Sequence, residues 1–176
     1  GTGGAWLLTA ASTPAEALTE AVTKSLDRKV CNTLNTCCIL RSRQSELVPA
    51  FLAGLAEAGR KRGQTYKLHV VAGDEACLPE ALRSARVSVL RAEGAREESQ
   101  VEAIAEGELG REWEWEGTPE VTLKLIDDLD QGIELFNRYS PRFVVSVLTT
   151  DEGERQRAFQ LLDAPFFGDG FTRWVD

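Results

Sequence analysis

The fold is decided by residues 28–40, which have the sequence RKVCNTLNTCCIL. They follow a helix-like run and lead into a strand-like run, so Cys31 falls on the connection between a helix and a strand. A side chain on such a connection can be presented to a cleft. A thiol is a good nucleophile once it is a thiolate, and the neighbouring cations Arg28 and Lys29 favour that form. We predict that Cys31 is a catalytic nucleophile; the alternative is a small buried hydrophobic residue.

Strand and helix signals alternate on both sides of this stretch. Short apolar runs predict strands at 5–10, 37–40, 67–72, 87–90, 121–125 and 143–148, the fifth of them half-buried because it alternates with polar residues. Capping residues and apolar stripes predict helices that begin at Thr13, Ser45, Cys77, Asp127 and Asp151. This alternation predicts an α/β domain with a largely parallel sheet.

Residues 92–117 are rich in glutamate and give the weakest structural signal. Val101, Ile104 and Ala105 have the spacing of one helical face. The alternating Trp and Glu residues at 112–116 are typical of an edge strand with one aromatic face.

Three further features are expected to have structural rather than functional roles. The basic cluster at 59–63 is expected to be a solvated helix end rather than a phosphate site. His69 is the only histidine and is expected to occupy a strand position rather than to act with Cys31. Phe159 and Leu162 are expected to face inward from the last helix.

Composition restricts the class of protein. The chain has 176 residues, is 43% hydrophobic and carries a formal net charge of −8, which argues against nucleic acid or an anionic membrane surface as a partner. We expect residues 1–176 to form one domain. Because the chain contains no Met, we also expect it to be part of a longer polypeptide. Its four cysteines are not typical of a disulfide framework, which favours a reduced, cytoplasmic protein. No basic-then-apolar run and no long apolar run is evident, so we expect neither a leader nor a membrane span.

Three motifs resemble those of the gamma-glutamyl phosphate reductases (glutamate-5-semialdehyde dehydrogenases), a branch of the aldehyde dehydrogenase superfamily. Residues 28–36 are similar to the cysteine motif of that family, residues 126–139 (IDDLDQGIELFNRY) to a second motif, and Thr172-Arg173-Trp174 to a third. The motifs occur in the family order, whereas residues from Lys61 to Glu120 match poorly. Three positions depart from the family pattern: Lys29 replaces part of the spacer between the arginine and the valine, Thr33 replaces an alanine and Asn35 replaces a glutamate.

The resemblance implies a three-layer catalytic domain like that of aldehyde dehydrogenases. It implies NADPH-dependent reduction of gamma-glutamyl phosphate to glutamate-5-semialdehyde, a step of proline biosynthesis, through a thioester on Cys31. The Asn32 amide would assist the oxyanion. Either Glu114 or Glu116 would meet the nicotinamide ribose of NADP.

The resemblance also suggests partners for this chain. The cofactor would be bound mainly by a cofactor-binding domain of the same polypeptide that lies outside this chain, and the protein would be a possible homo-oligomer. Without that domain we expect negligible turnover. Arg173, with Thr172 beside it, is a candidate to bind a substrate carboxylate or phosphate, because a guanidinium suits either; a surface ion pair is the alternative for Arg173.

Two other classes of function stay open. The changes at Thr33 and Asn35 favour a non-catalytic binding domain on an aldehyde dehydrogenase scaffold. Alternatively, Cys31, Cys37 and Cys38 could form a redox site, although no Cys-x-x-Cys pair is present. Zinc binding is not expected, because the thiols lack ligand spacing.

Overall fold

The computed structural model describes residues 4–168. The strands within this range are β1 (Ala5–Thr9), β2 (Leu34–Leu40), β3 (Lys67–Val71), β4 (Arg86–Arg91), β5 (Gly94–Ser99), β6 (Val101–Ile104), β7 (Glu120–Ile126), β8 (Val144–Leu148) and β9 (Phe166–Gly168). The helices are α1 (Ala15–Lys24), α2 (Gln44–Lys61), α3 (Glu80–Arg83), α4 (Leu129–Tyr139) and α5 (Glu152–Leu161).

Seven of the described strands form one parallel sheet in the order β6-β3-β7-β2-β1-β8-β9. The connections β1–α1–β2 and β2–α2–β3 move across the sheet in one direction, whereas β7–α4–β8 and β8–α5–β9 move in the other. Right-handed crossovers therefore place α1 and α2 on one face and α4 and α5 on the opposite face. This arrangement confirms the predicted α/β domain with a mostly parallel sheet. The remaining two strands, β4 and β5, form a separate antiparallel hairpin.

The core lies on both sides of the central strands. All residues of β1, β2, β3, β7 and β8 are buried, as expected for parallel strands covered by helices on both faces. The predicted stripe of α1 is confirmed, because Leu18, Val22 and Leu26 are fully buried. Helices α1 and α2 approach closely at Gly54, where a Cβ atom would lie 2.8 Å from Val22 Cβ.

Strand β7 differs from the half-buried strand that its alternating pattern predicts. Its polar residues are buried as well, because their side chains are paired with other polar side chains. Thr122 Oγ1 accepts a hydrogen bond from Trp113 Nε1 at 2.7 Å, and Lys124 Nζ lies 3.5 Å from Asp74 Oδ2. Paired polar groups can be buried without a large penalty, so alternation alone does not define an exposed face.

Residues 92–117 contain no α-helix, and the edge strand within this range is β6 rather than the predicted residues 112–116. Val101 and Ile104 belong to β6, which pairs with β3, and residues 112–116 form an irregular segment. The segment predicted as one helix from Cys77 to Ser84 is a 3₁₀ turn at Glu75–Cys77 followed by the four-residue α3. Short elements of this kind carry too little periodicity to be distinguished in sequence.

Three smaller predictions are also wrong. The N-cap of α1 is Pro14, because the Thr13 hydroxyl accepts from Ala10 N and donates to Leu148 O instead. The N-cap of α4 is Asp128 rather than Asp127, whereas Asp151 caps α5 as predicted. Phe159 does not face inward, since it is 69% exposed. None of the described helices is both long enough and apolar enough to span a bilayer.

Candidate active site

The candidate site lies at the edge of the sheet where the parallel strands begin. Gly4 precedes β1, residues 25–33 precede β2, residues 62–66 precede β3 and residues 105–119 precede β7. Parallel strands start at the same edge, so these four connections meet although they are distant in sequence. We call residues 25–33 the cysteine loop and residues 111–117 the Trp segment.

The cysteine loop is fixed by its own backbone and by Gly4. The Thr33 hydroxyl accepts a hydrogen bond from Val30 N at 2.8 Å and donates one to Arg28 O at 2.6 Å. Gly4 N donates to Cys31 O at 2.9 Å. Gly4 has a φ of 109°, a conformation that favours glycine, so this contact depends on the residue type. The sequence pattern gave no sign of this role for Gly4.

Cys31 presents an accessible thiol and a backbone N–H on the same loop. Cys31 is exposed on the helix-to-strand connection, as predicted, and its N–H donates to no other described residue. A free N–H beside a nucleophile can serve as an oxyanion donor. Asn32 is fully buried beside it.

The other three cysteines are protected by the fold. Burial raises the pKa of Cys37 well above its usual range and the pKa of Cys38 to about 12. Burial also raises the pKa of Cys77, to about 11. Adjacent residues of a strand point to opposite faces, so Cys37 and Cys38 are poorly arranged to pair with each other, and both are buried whereas Cys31 is exposed.

The Trp segment is attached to the cysteine loop and to the start of β2. Lys29 Nζ lies 2.8 Å from Glu112 Oε2. The Asn35 amide accepts from Trp113 N at 2.9 Å and donates to Arg111 O at 2.8 Å. The Asn35 amide thus bonds both a donor and an acceptor of the backbone. A carboxylate could supply only the acceptor.

Glu114 is held on this segment without an ion-pair partner among the described residues. It is exposed, whereas its neighbours Trp113 and Trp115 are buried. Glu114 and Glu116 line a concavity of about 430 Å³ together with Arg28 and Arg62. The structure therefore places both predicted cofactor carboxylates beside the cysteine loop.

A buried charged cluster next to this site was not predicted. His69 Nε2 lies 2.5 Å from Glu120 Oε2, and Arg91 Nη1 lies 2.9 Å from Glu120 Oε1. The His69 ring stacks on Trp113 with a centroid separation of 3.5 Å. Burial acts to raise the pKa of Glu120, but hydrogen bonds with His69 and Arg91 outweigh it and lower the pKa. The strand position of His69 is confirmed, and its partner Glu120 lies on the neighbouring strand.

The remaining predicted site residues, Thr172 and Arg173, lie outside the described residues. Across residues 4–168, no three His, Cys, Asp or Glu side chains are grouped closely enough to hold a metal ion.

Comparisons with known proteins give structural matches only. No family model and no curated protein matches the sequence. Among solved structures, the fold is shared with aldehyde dehydrogenases. One from Mycobacterium tuberculosis, complexed with NAD+, has a TM-score of 0.60 and 16% identity over 96% of this chain and 39% of its own.

Two of these structures are gamma-glutamyl phosphate reductases. The enzyme from Thermotoga maritima has a TM-score of 0.73 and 15% identity over 100% of this chain and 36% of its own. The enzyme from Saccharomyces cerevisiae has a TM-score of 0.57 and 10% identity over 97% of this chain and 36% of its own. The likeness confirms the predicted fold, and the chain spans well under half the length of the proteins it matches.

Proposed function

We propose that this chain supplies the cysteine-bearing catalytic domain of an NADPH-dependent reductase of gamma-glutamyl phosphate. The observation that carries the proposal is the position of Cys31. Its thiol is exposed on a loop that Gly4 and Thr33 hold in place and that Lys29 joins to the Trp segment. The fold shared with two gamma-glutamyl phosphate reductases supports this substrate class.

In the proposed reaction the Cys31 thiolate attacks the carbonyl carbon of the acyl phosphate, and a carbon–sulfur bond forms. The resulting oxyanion accepts a hydrogen bond from the Cys31 N–H, with the Asn32 amide as a second donor. When the carbonyl re-forms, the carbon–oxygen bond to phosphate breaks and inorganic phosphate leaves, so Cys31 carries a thioester. After reduction, the thiolate of Cys31 is expelled as the aldehyde forms.

The described residues fit one end of the cofactor. The exposed carboxylate of Glu114, or that of Glu116, can accept hydrogen bonds from ribose hydroxyls. The concavity of about 430 Å³ that they line suits a nicotinamide ribose better than a whole dinucleotide. Bound NADPH would supply the hydride that reduces the thioester. We therefore propose that most of its binding surface comes from polypeptide outside this chain.

A non-catalytic scaffold is a weaker proposal. Its two supporting changes, Thr33 and Asn35, each make hydrogen bonds that hold the cysteine loop or the Trp segment in place. Substitutions that keep the site ordered are compatible with catalysis. They therefore do not favour loss of function.

The proposal is tested in the reverse direction, by the formation of NADPH from glutamate-5-semialdehyde, phosphate and NADP+. The full-length protein that contains this chain is expected to be active and to require phosphate. The Cys31→Ser variant is expected to lose activity by about 10⁴-fold or more, because no thioester can form. The matched control Cys77→Ser is expected to keep it.

Two outcomes would contradict the proposal. Activity that survives in Cys31→Ser would exclude the thioester route. Robust turnover by the 176-residue chain alone would show that the cofactor does not depend on other segments.

A further inference from the structure

Arg62 behaves differently from the other cations at the end of α2. The side chain of Arg60 is 72% exposed and pairs with Glu57 on its own helix, and Lys61 is also exposed. This is the solvated helix end that the sequence predicts. Arg62, in contrast, is half-buried and makes its contacts with two other parts of the chain.

The Arg62 guanidinium bonds backbone carbonyls on both sides of the site. Its Nη1 donates to Asp27 O of the cysteine loop at 2.7 Å. Its Nε donates to Gly117 O of the Trp segment at 2.9 Å, and its Nη2 donates to Glu116 O. The guanidinium carbon also lies 5.3 Å from the centroid of the Trp115 ring. A planar fork with five donors can serve three carbonyls and an aromatic face together, which an ammonium group does less well.

The turn after α2 explains why Arg62 occupies this place. Gly63 has a φ of 68°, the left-handed conformation that ends many helices. Gly59 allows the chain to return closely, since a Cβ atom there would lie 2.2 Å from Thr65 O. The connection that carries Arg62 precedes β3 and therefore lies at the same edge of the sheet as the cysteine loop.

Contacts hold the Trp segment in place on both sides of Glu114. On its amino side, Asn35 and Lys29 hold residues 111–113. On its carboxyl side, Arg62 holds residues 116–117. Lys29 belongs to the cysteine loop, so it joins that loop to the amino side of the Trp segment, whereas Arg62 joins Asp27, near the start of the loop, to the carboxyl side.

We propose that Arg62 is a positioning residue that joins the cysteine loop to the Trp segment, so that the Cys31 thiol and the Glu114 carboxylate keep a fixed separation. The hydrogen bonds of Arg62 are sufficient to join the two segments. Its consequence for turnover rests on the proposed function. We assign Arg62 a positioning role rather than a catalytic one, since three of its five N–H donors bond backbone carbonyls of the two segments.

The test compares Arg62→Ala and Arg62→Lys with the matched control Arg60→Ala. Hydrogen exchange is followed by peptide mass spectrometry in the whole chain. In Arg62→Ala, peptides from both the cysteine loop and the Trp segment are expected to exchange about tenfold faster or more, because three charge-assisted hydrogen bonds are lost. Peptides from β1 and β8 are expected to be unchanged. Arg62→Lys keeps the charge and a stem over Trp115, so it is expected to fold and to show a smaller increase in both segments.

A second measurement connects the contacts to catalysis. In the full-length protein, Arg62→Ala and Arg62→Lys are expected to raise KM for the cofactor and to lower kcat, whereas Arg60→Ala changes neither. Faster exchange in only one of the two segments, or unchanged exchange in both variants, would overturn the inference. So would altered exchange with unaltered KM and kcat. If the unmodified protein has no reductase activity but the paired change in exchange is seen, the proposed function fails and the structural coupling by Arg62 stands.

Discussion

Replacing Asn35 with alanine is expected to destabilise the protein strongly. The Asn35 side chain is 6% exposed and makes two backbone hydrogen bonds to the Trp segment, at 2.8 and 2.9 Å. Its removal leaves the N–H of buried Trp113 without a partner, at a cost of about 1–3 kcal/mol, and loses a second hydrogen bond of about 1 kcal/mol. We expect the free energy of unfolding to fall by about 2–4 kcal/mol, measured by urea denaturation followed by tryptophan fluorescence.

The matched control is Asn137→Ala. The Asn137 amide also makes two backbone hydrogen bonds, to Leu161 O at 2.9 Å and from Asp163 N at 2.8 Å, but both are exposed to solvent. Water can replace exposed partners, so the loss is expected to stay below about 1 kcal/mol. If Asn35→Ala costs no more than Asn137→Ala, the anchoring role of Asn35 is wrong.

Two further predictions concern acid stability and surface packing. Hydrogen bonding by Arg91 lowers the pKa of Glu98 to about 2. Because an unfolded glutamate has a pKa of about 4.3, the contribution of Glu98 is present above that pH and is lost as the pH falls towards 2. Urea denaturation over this range should show a smaller fall in Glu98→Gln, which removes the titrating group, than in the unmodified chain, and equal slopes would refute the assignment. Phe159→Ser, at an exposed position, should change the free energy of unfolding by less than about 0.5 kcal/mol. Phe136→Ala, at a fully buried position, should lower it by about 3–5 kcal/mol. A comparable loss for both variants would contradict the exposure of Phe159.

The alternation of strands and helices was predictable because local signals agree with the tertiary structure. The apolar run of β1, the stripe on α1 and the cap at Asp151 all lie where the sequence places them. The position of Cys31 on a helix-to-strand connection follows from the same alternation. A short motif resemblance identified the fold correctly even where the middle of the chain matches poorly.

Polar contacts that depend on the tertiary structure could not be predicted. Thr122 on β7 is buried because its hydroxyl accepts from Trp113, and His69 is buried because it meets Glu120 on the neighbouring strand β7. Trp113 lies only nine residues before Thr122 but reaches it from an irregular segment, whereas His69 and Glu120 are brought together by the pairing of β3 with β7. The role of Arg62 was missed for the same reason, since a cation at a helix end has the same local pattern whether it is solvated or bonded to distant carbonyls.

The assignment of Cys31 as the nucleophile can be tested by the alkylation rate of each cysteine with iodoacetamide. Rates are determined by peptide mass spectrometry from about pH 5 to 9, in the folded chain and in denaturant, so that each thiol serves as its own reference. We predict that Cys31 is labelled fastest in the folded chain, while Cys37, Cys38 and Cys77 are labelled more slowly than in denaturant. A Cys31 that is labelled more slowly in the folded full-length protein than in denaturant would contradict its assignment as the nucleophile.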